Sequence, residues 1–136
     1  MKLVRIAKGR WEVLAEVDSE GRCQVLDLLD RPGEGLRAAR DFLNLFLRVY
    51  LPLEGPPGGG VRPCKPLGEG LFELRRRPGE PALRVSLFDD GDRIVCTSAF
   101  AKGKAGDKAE VRSARSSRER YYEARSARGL YISETP

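Results

Sequence analysis

The chain contains no histidine, and this absence excludes many kinds of active site. Without an imidazole the protein cannot build a Ser-His-Asp or Cys-His nucleophile, cannot use histidine as an acid or base, and loses most zinc sites. Any proton transfer must therefore use a lysine, arginine, tyrosine, aspartate or glutamate side chain.

Cysteines are few and scattered. Cys23, Cys64 and Cys96 are far apart in the sequence, and none belongs to a Cys-x-x-Cys pair. An odd number of widely spaced cysteines is typical of buried or half-buried free thiols in a reducing compartment. We therefore expect neither a metal nor a cofactor.

Long apolar segments are also missing. No run approaches the roughly 18 residues that a membrane-spanning helix needs. The N-terminal residues Met1 to Arg5 are not followed by the apolar core of a secretory signal. With 40% hydrophobic and 33% charged residues, the composition is that of an ordinary globular chain. We expect a cytoplasmic protein without a membrane partner.

The positive charge is concentrated near the C-terminus. Residues 102–128 hold nine cations and four anions, an excess of five that equals the net charge of the whole chain. A basic segment on a neutral body indicates an acidic partner, either a nucleic acid or an acidic protein. A solvated basic helix face has the same pattern, so charge alone leaves both interpretations open.

The length of 136 residues indicates one domain with a modest core. We assign residues 1–128 to a single domain that begins with a hairpin, and residues 129–136 to a tail. In this hairpin Trp11 to Val17 is the first strand, and Cys23 to Leu29 is the returning strand. The turn signal Asp18-Ser19-Glu20-Gly21 separates the two. Met1 to Lys8 is either a short additional strand or a loose lead-in.

A broad apolar stripe predicts a helix from about Gly35 to Leu51. Its apolar members recur at steps of three and four residues: Leu36, Ala39, Phe42, Leu43, Phe46, Leu47 and Tyr50. Pro52 is expected to end the helix, because the residue before a proline is pushed out of the α region. The Pro- and Gly-rich residues 52–60 then form a loop.

Three apolar segments follow and predict an antiparallel meander: Leu71 to Arg77, Ala82 to Phe88 and Arg93 to Phe100. Tight turn sequences separate them. Residues 106–127 predict a polar, basic helix. The expected fold is therefore α+β, a small antiparallel sheet of about four to six strands. A long helix precedes the central meander and a basic helix follows it.

Strand alternation brings two arginines of the meander to one sheet face. Arg75 and Arg84 become near neighbours across the hairpin, on the same face as Glu73. Two guanidinium groups repel each other unless an anion lies between them. Glu73 can supply part of that compensation, but a phosphate matches the geometry of arginine better. Exposed arginines on a solvated sheet face are the alternative interpretation.

Two lysines follow the last strand of the meander. Lys102 and Lys104 flank Gly103, which allows a tight or left-handed turn between them. Either lysine is able to contact phosphate. Either becomes a base if neighbouring cations and partial burial lower its pKa. A flexible lysine pair in a loop is the other interpretation.

The order of these segments resembles the phage-derived branch of the RelE/HigB toxin superfamily. The matching pieces are Lys65 to Arg75, Arg84-Val85, Ile94 to Lys102, and Ala109 with Ala114. The likeness covers roughly residues 37 to 125. The piece Leu71-Phe72-Glu73-Leu74-Arg75, with the preceding Leu-Gly-x-Gly, is its more specific part.

This resemblance implies a RelE-like fold and a toxin-like endoribonuclease that cleaves mRNA, commonly on the ribosome, without a metal ion. The implied catalytic residues are Arg75 and Arg84, as clamps on the scissile phosphate, and Lys102, as an RNA contact or base. The implied RNA-binding residues are Arg77, Lys104 and Lys108. A cognate antitoxin, of which a helix-turn-helix protein is one type, is the implied protein partner.

Two other functions fit the sequence. The first is a non-catalytic RNA- or ribosome-binding module on the same fold. The second is a protein-interaction domain whose basic helix docks on an acidic partner. An enzyme acting on a small metabolite is disfavoured, because the Gly-rich segment Pro56 to Gly60 lacks the strand, helix and lysine of a phosphate-binding loop.

Overall fold

The computed structural model describes residues 1–30, 37–56, 64–76, 83–100 and 108–136. Within these residues, seven strands form one sheet in the order β3-β4-β5-β6-β2-β1-β7. The strands are β1 Lys2–Lys8, β2 Glu12–Val17, β3 Cys64–Gly68, β4 Leu71–Leu74, β5 Arg84–Asp90, β6 Arg93–Phe100 and β7 Tyr131–Ser133. The helices are α1 Gln24–Asp30, α2 Arg37–Leu45, α3 Leu51–Glu54 and α4 Lys108–Ser126, with a π-helical segment Phe46–Tyr50 between α2 and α3.

The prediction of a small antiparallel sheet is wrong. The sheet is mixed, because β2 runs parallel to β6 and β7 runs parallel to β1. The long helix does not precede the sheet either, since β1 and β2 come first in the chain and join it. The physical reason is the central position of β6. It is apolar on both faces and needs a partner strand at each edge, so it pairs with β5 and also with β2.

The N-terminal hairpin contains the predicted strand Trp11 to Val17, as β2, but its partner strand is a different segment. It pairs β1 with β2, with a bulge between Arg5 and Ala7. The segment Cys23 to Leu29, predicted as the returning strand, is instead mostly α1. Its buried residues Val25, Leu28 and Leu29 follow a helical spacing, which explains the helix.

The helix predicted from about Gly35 to Leu51 continues past Pro52. Residues 37–54 are helical throughout the described part, and Pro52 is the second residue of α3. A proline inside a continuous helix removes one backbone hydrogen bond and crowds the carbonyl four residues before it. The π-helical segment, in which the Leu51 N–H bonds to Phe46 O, adjusts the backbone just before it. The helix ends at Gly55, which has a φ of 86°.

The central meander is confirmed. β4, β5 and β6 are antiparallel neighbours, with Leu71 opposite Phe88 and Arg84 opposite Phe100. The basic helix is also present as α4. The C-terminal residues assigned to a tail contain β7, which pairs Tyr131 with Lys2 and Ser133 with Val4.

The two faces of the sheet carry different layers. The helical layer α1–α3 packs on one face, over a large apolar core that includes Val4, Val13, Leu43, Leu47 and Ile94. α4 packs on the opposite face over a smaller apolar cluster, formed by Leu3, Leu14, Leu71, Phe88, Val95, Ala114 and Tyr121. All three cysteines are buried with free thiols. None of the described helices is long and apolar enough to span a bilayer.

Two glycines let the β1–β2 turn pack closely against the end of α3. A Cβ atom at Gly55 would lie 2.7 Å from the ring of Trp11, and one at Gly9 would lie 2.7 Å from the Pro52 oxygen. The Trp11 N–H donates to the same Pro52 oxygen. The turn and the helix end therefore form one tightly fitted contact.

Candidate nucleic-acid interface

The structure brings Arg75 and Arg84 together around one carboxylate. Oε1 of Glu73 lies 3.9 Å from Nη1 of Arg75, and Oε2 of Glu73 lies 3.9 Å from Nε of Arg84. Glu73 is on β4 and Arg84 begins β5, so the antiparallel pairing of these strands places them on the α4 face. Glu73 supplies the compensating negative charge that the sequence suggested.

Arg84 is a buried residue that joins the sheet to α4. Its side chain is 1% exposed, and its Nη2 donates to Oε1 of Glu110 in the first turn of α4. Its guanidinium carbon also lies 5.9 Å from the centre of the Phe100 ring. Two carboxylates and an aromatic ring therefore surround this cation, which fixes the start of α4 against the end of β5.

We call these four charged side chains the arginine cluster: Glu73, Arg75, Arg84 and Glu110. Glu73 is 3% exposed and Arg75 is 13% exposed, so solvent reaches mainly the arginine that covers the carboxylate. Buried ions cost several kcal/mol each unless they are paired and hydrogen-bonded. Two cations and two anions satisfy that requirement as a group, whereas loss of any one member leaves a buried charge without compensation.

Further cations lie beside the arginine cluster on the same sheet face. Lys65 is exposed and stands directly opposite Glu73 in the β3–β4 pair, so its side chain shares that face. Arg115 and Arg118 of α4 share the exposed carboxylate of Glu69, at 3.6 and 3.4 Å. Glu69 has a φ of 55°, in a turn between two glycines of positive φ. This side of α4 therefore presents more guanidinium groups than carboxylates.

The C-terminal half of α4 is held by a separate polar network. Tyr121 donates a hydrogen bond of 2.7 Å to Oδ2 of Asp90, and Arg125 pairs with the other oxygen of that carboxylate. Burial, and next the hydrogen bond to Asp90, raise the pKa of Tyr121 to about 12. Asp90 and Arg84 are the two ends of β5, about 20 Å apart at the usual rise per residue. Tyr121 is therefore remote from the arginine cluster.

The remaining site residues inferred from the sequence are placed as follows. Lys108 is the first residue of α4 and is exposed. Arg77, Lys102 and Lys104 lie outside the described residues. Glu110 and Lys65 were not among the site residues inferred from the sequence. Helical spacing offered a signal for Glu110, because it precedes the buried Ala114, Ser117 and Tyr121 on one face of α4.

The arginine cluster contains a carboxylate oxygen that makes an ion pair but no hydrogen bond. In the described part of the chain, Oε1 of Glu73 has no hydrogen-bond partner, although it is buried. An oxygen of this kind accepts a proton or a hydrogen bond from a hydroxyl group that approaches it. The neighbouring Arg75 carries the planar donors that bind phosphate oxygens in pairs. A carboxylate that accepts hydrogen bonds and a guanidinium that can donate hydrogen bonds to phosphate are thus adjacent in the arginine cluster.

The chain was also compared with known proteins. No family model matches the sequence, and none of the curated proteins matches it. The case for a function therefore depends on the side chains described above.

Proposed function

We propose that the protein binds RNA and cleaves it as a metal-independent endoribonuclease, with mRNA on the ribosome as its substrate. The activity is the one that the RelE/HigB resemblance implies. The observation that supports it is the position of Glu73 between Arg75 and Arg84, on the sheet face that also carries Lys65 and the start of α4. A base and phosphate-binding cations are the two components that RNA cleavage without a metal requires.

The proposed chemistry is an attack within the RNA strand. The ribose 2′-oxygen forms a bond to the adjacent phosphorus as its proton passes to a base, and the bond to the 5′-oxygen breaks as that oxygen gains a proton. Oε1 of Glu73 is the proposed base. Arg75 neutralises the charge on the phosphate oxygens. Lys102, which the resemblance implied as an RNA contact or base, becomes the proposed donor of the second proton, and Arg77, Lys104 and Lys108 remain the candidates for RNA contacts.

The burial of Arg84 changes the role that we propose for it. A side chain that is 1% exposed, between Glu73 and Glu110, does not meet a phosphate directly. It orients the carboxylate of Glu73 and holds α4 in place, so it is a positioning residue. Substrate would meet Arg75 and Lys65 first, and movement of Arg75 would uncover Glu73.

The same burial favours a second candidate function, RNA or ribosome binding without cleavage. If Arg84 serves only to fasten α4, the exposed cations Lys65, Lys108 and Arg115 still form a basic surface. Such a surface binds phosphates in a salt-dependent manner and leaves the strand intact. A protein-interaction domain that docks through α4 on an acidic partner is the third alternative.

The test combines a cleavage gel with a binding curve. Purified full-length protein is mixed with single-stranded RNA and with translating ribosomes, in the presence of a metal chelator. We expect new RNA ends with the wild type and a loss of about a hundredfold in rate for Arg75→Ala, the usual effect of removing one donor to a developing charge. Arg37→Ala, at an exposed ion pair on α2, is the matched control.

The outcomes separate the candidates. Intact RNA with salt-dependent binding supports the binding module. Intact RNA without binding, together with capture of a protein that resists nuclease treatment, supports the interaction domain. Equal cleavage by Arg75→Ala, Glu73→Gln and wild type would remove the proposed site. An antitoxin partner is tested by co-expression of the adjacent reading frame and rescue of growth.

A further inference from the structure

A polar cavity lies on the other side of α4 from the arginine cluster. It has a volume of about 180 Å³ and lies between α4, β6 and the segment that joins β2 to α1. Its floor is formed by three hydroxyl residues that are at most 7% exposed: Thr97, Ser98 and Ser117. An apolar cluster lies between α4 and the sheet beside this cavity, so a hydroxyl-lined space here is unexpected for simple packing.

A β-bulge shapes the floor of this cavity. Ser86 is opposite Ser98, whereas the next residue Leu87 is opposite Cys96, so Thr97 is an extra residue in β6. Neighbouring residues of a regular strand point to opposite faces. The bulge breaks this alternation and lets Thr97 and Ser98 line the same cavity.

The buried hydroxyls are only partly engaged with the protein. The Thr97 hydroxyl donates to Ser86 O at 3.3 Å and lies 3.4 Å from Oγ of Ser98, both longer than typical hydroxyl hydrogen bonds. Oγ of Ser117 accepts a bond from Arg120 at 3.1 Å. Each hydroxyl has one proton to donate and two lone pairs that accept. The floor of the cavity can therefore still donate and accept hydrogen bonds.

Charges at the cavity are balanced. Glu16 and Asp18 oppose Arg22 and Arg120, and the amide of Gln24 adds a neutral donor and acceptor. The ion pair between Glu16 and Arg120, at 2.7 Å, holds one side of the opening. Equal numbers of cations and anions disfavour a phosphate or a simple ion. They favour a neutral ligand that donates and accepts hydrogen bonds along one edge.

The size of the cavity limits the ligand. At about 30 Å³ for each water molecule in the liquid, 180 Å³ corresponds to about six waters. It opens beside a larger groove of about 880 Å³ that shares Glu16, Asp18 and Arg120 and extends to Lys2 and Tyr131. A small planar group fits the cavity, and a sugar attached to it would extend into the groove.

We propose that the hydroxyl-lined cavity binds a single unpaired nucleobase, with its ribose in the adjoining groove. A nucleobase is neutral and presents donors and acceptors on its edge, which matches the hydroxyls of Thr97, Ser98 and Ser117. The base belongs either to a free nucleoside or to an RNA strand. In the second case the inference rests on the proposed function, and the cavity determines the base preference.

The experiment measures both sources with the full-length protein. Calorimetric titration with the four common ribonucleosides tests the free ligand. Titration with homopolymeric single-stranded RNAs of equal length tests the strand. Thr97→Val removes a hydroxyl with little change of shape, and Ser117→Leu fills the cavity. Ser126→Leu, at the exposed end of α4, is the matched control, and thermal unfolding verifies the fold of each variant.

We expect the wild type to prefer one base, and Thr97→Val to weaken that preference by about tenfold, the effect of losing a hydrogen bond or two. Ser117→Leu should abolish it, and if that variant does not fold, Thr97→Val alone decides. RNA binding with no base preference, or with a preference that neither variant changes, overturns the base site and leaves the proposed function standing. Nucleoside binding without RNA binding overturns the proposed function and retains the base site.

Discussion

The two faces of the sheet are stabilised by different physical means. Under α1–α3 the contacts are apolar, and residues such as Leu43, Leu47 and Ile94 are fully buried. Under α4 a smaller apolar cluster lies between two polar networks, the arginine cluster at one end of β5 and the Tyr121–Asp90 contact at the other. Hydrophobic burial is non-directional, whereas buried ion pairs require definite partners. The difference indicates that non-directional burial holds the helical layer, whereas definite polar partners hold α4.

The largest expected loss of stability comes from breaking the arginine cluster. Arg84→Ala leaves Glu73 and Glu110 without their shared cation, and removal of one partner of a buried ion pair typically costs about 4 kcal/mol. The free energy of unfolding, measured in urea, should fall by that amount. The exposed Arg37→Ala serves as the control, and a similar small change in both variants would contradict the burial of Arg84.

Replacing the whole buried network sharpens this prediction. In Arg84→Met combined with Glu73→Leu and Glu110→Leu, the three most buried charges of the arginine cluster are removed, and Arg75, the member that solvent reaches, is the one that remains. Such replacements are often neutral or stabilising. We expect the triple variant to unfold at a urea concentration at least as high as that of the wild type, and to lose RNA cleavage. Retained cleavage would show that the cluster is purely structural.

The next effect tests the apolar face. Leu47→Ala removes a fully buried side chain from the helical layer and should cost about 3 kcal/mol, through lost burial and a residual cavity. Leu45→Ala, two residues earlier in the chain, is the matched control, because Leu45 is 61% exposed. Comparable destabilisation by the two substitutions would disprove the assignment of the buried face.

A smaller effect concerns pH at the C-terminal half of α4. An unfolded tyrosine ionises near pH 10.0, whereas the pKa of Tyr121 in the folded protein is raised to about 12. Between these values the unfolded chain has lost a proton that the folded chain keeps, so stability falls as the pH rises. Unfolding monitored with tyrosinate absorbance should show this decline, and Tyr121→Phe should remove its share. An identical decline in that variant would contradict the prediction.

The smallest effect is expected at the exposed turn between β3 and β4. Glu69→Gln removes the carboxylate shared by Arg115 and Arg118, and exposed ion pairs contribute at most about 1 kcal/mol. The loss should diminish in high salt. At low salt the variant should bind RNA more tightly than the wild type, because two arginines are released. Weaker binding would place the RNA elsewhere.

Local patterns predicted the meander and the basic helix well. Alternation along residues 71–100 and the tight turns between them specify antiparallel neighbours, and the structure confirms β4, β5 and β6 in that order. The proximity of Arg75, Arg84 and Glu73 followed from the same alternation. Only short-range geometry was needed for these features.

Long-range pairing was not predictable from the sequence. The contacts of β2 with β6 and of β7 with β1 join segments that are distant in the chain, and no local residue pattern encodes such a partner. Residues 24–30 were misassigned because a short apolar run fits either a strand or a helix. Glu110 became visible only when α4 was placed on the sheet, with its carboxylate against Arg84.

The close contact between Trp11 and Gly55 has a practical consequence. Trp11 is the only tryptophan of the chain, so intrinsic fluorescence reports on a single location. Its ring packs against the backbone at Gly55, on the side of the sheet that faces the helical layer. Emission from this one indole should therefore change when that layer opens and should not change when α4 moves. Stopped-flow mixing with denaturant can use this optical signal to time the opening of the helical layer by itself.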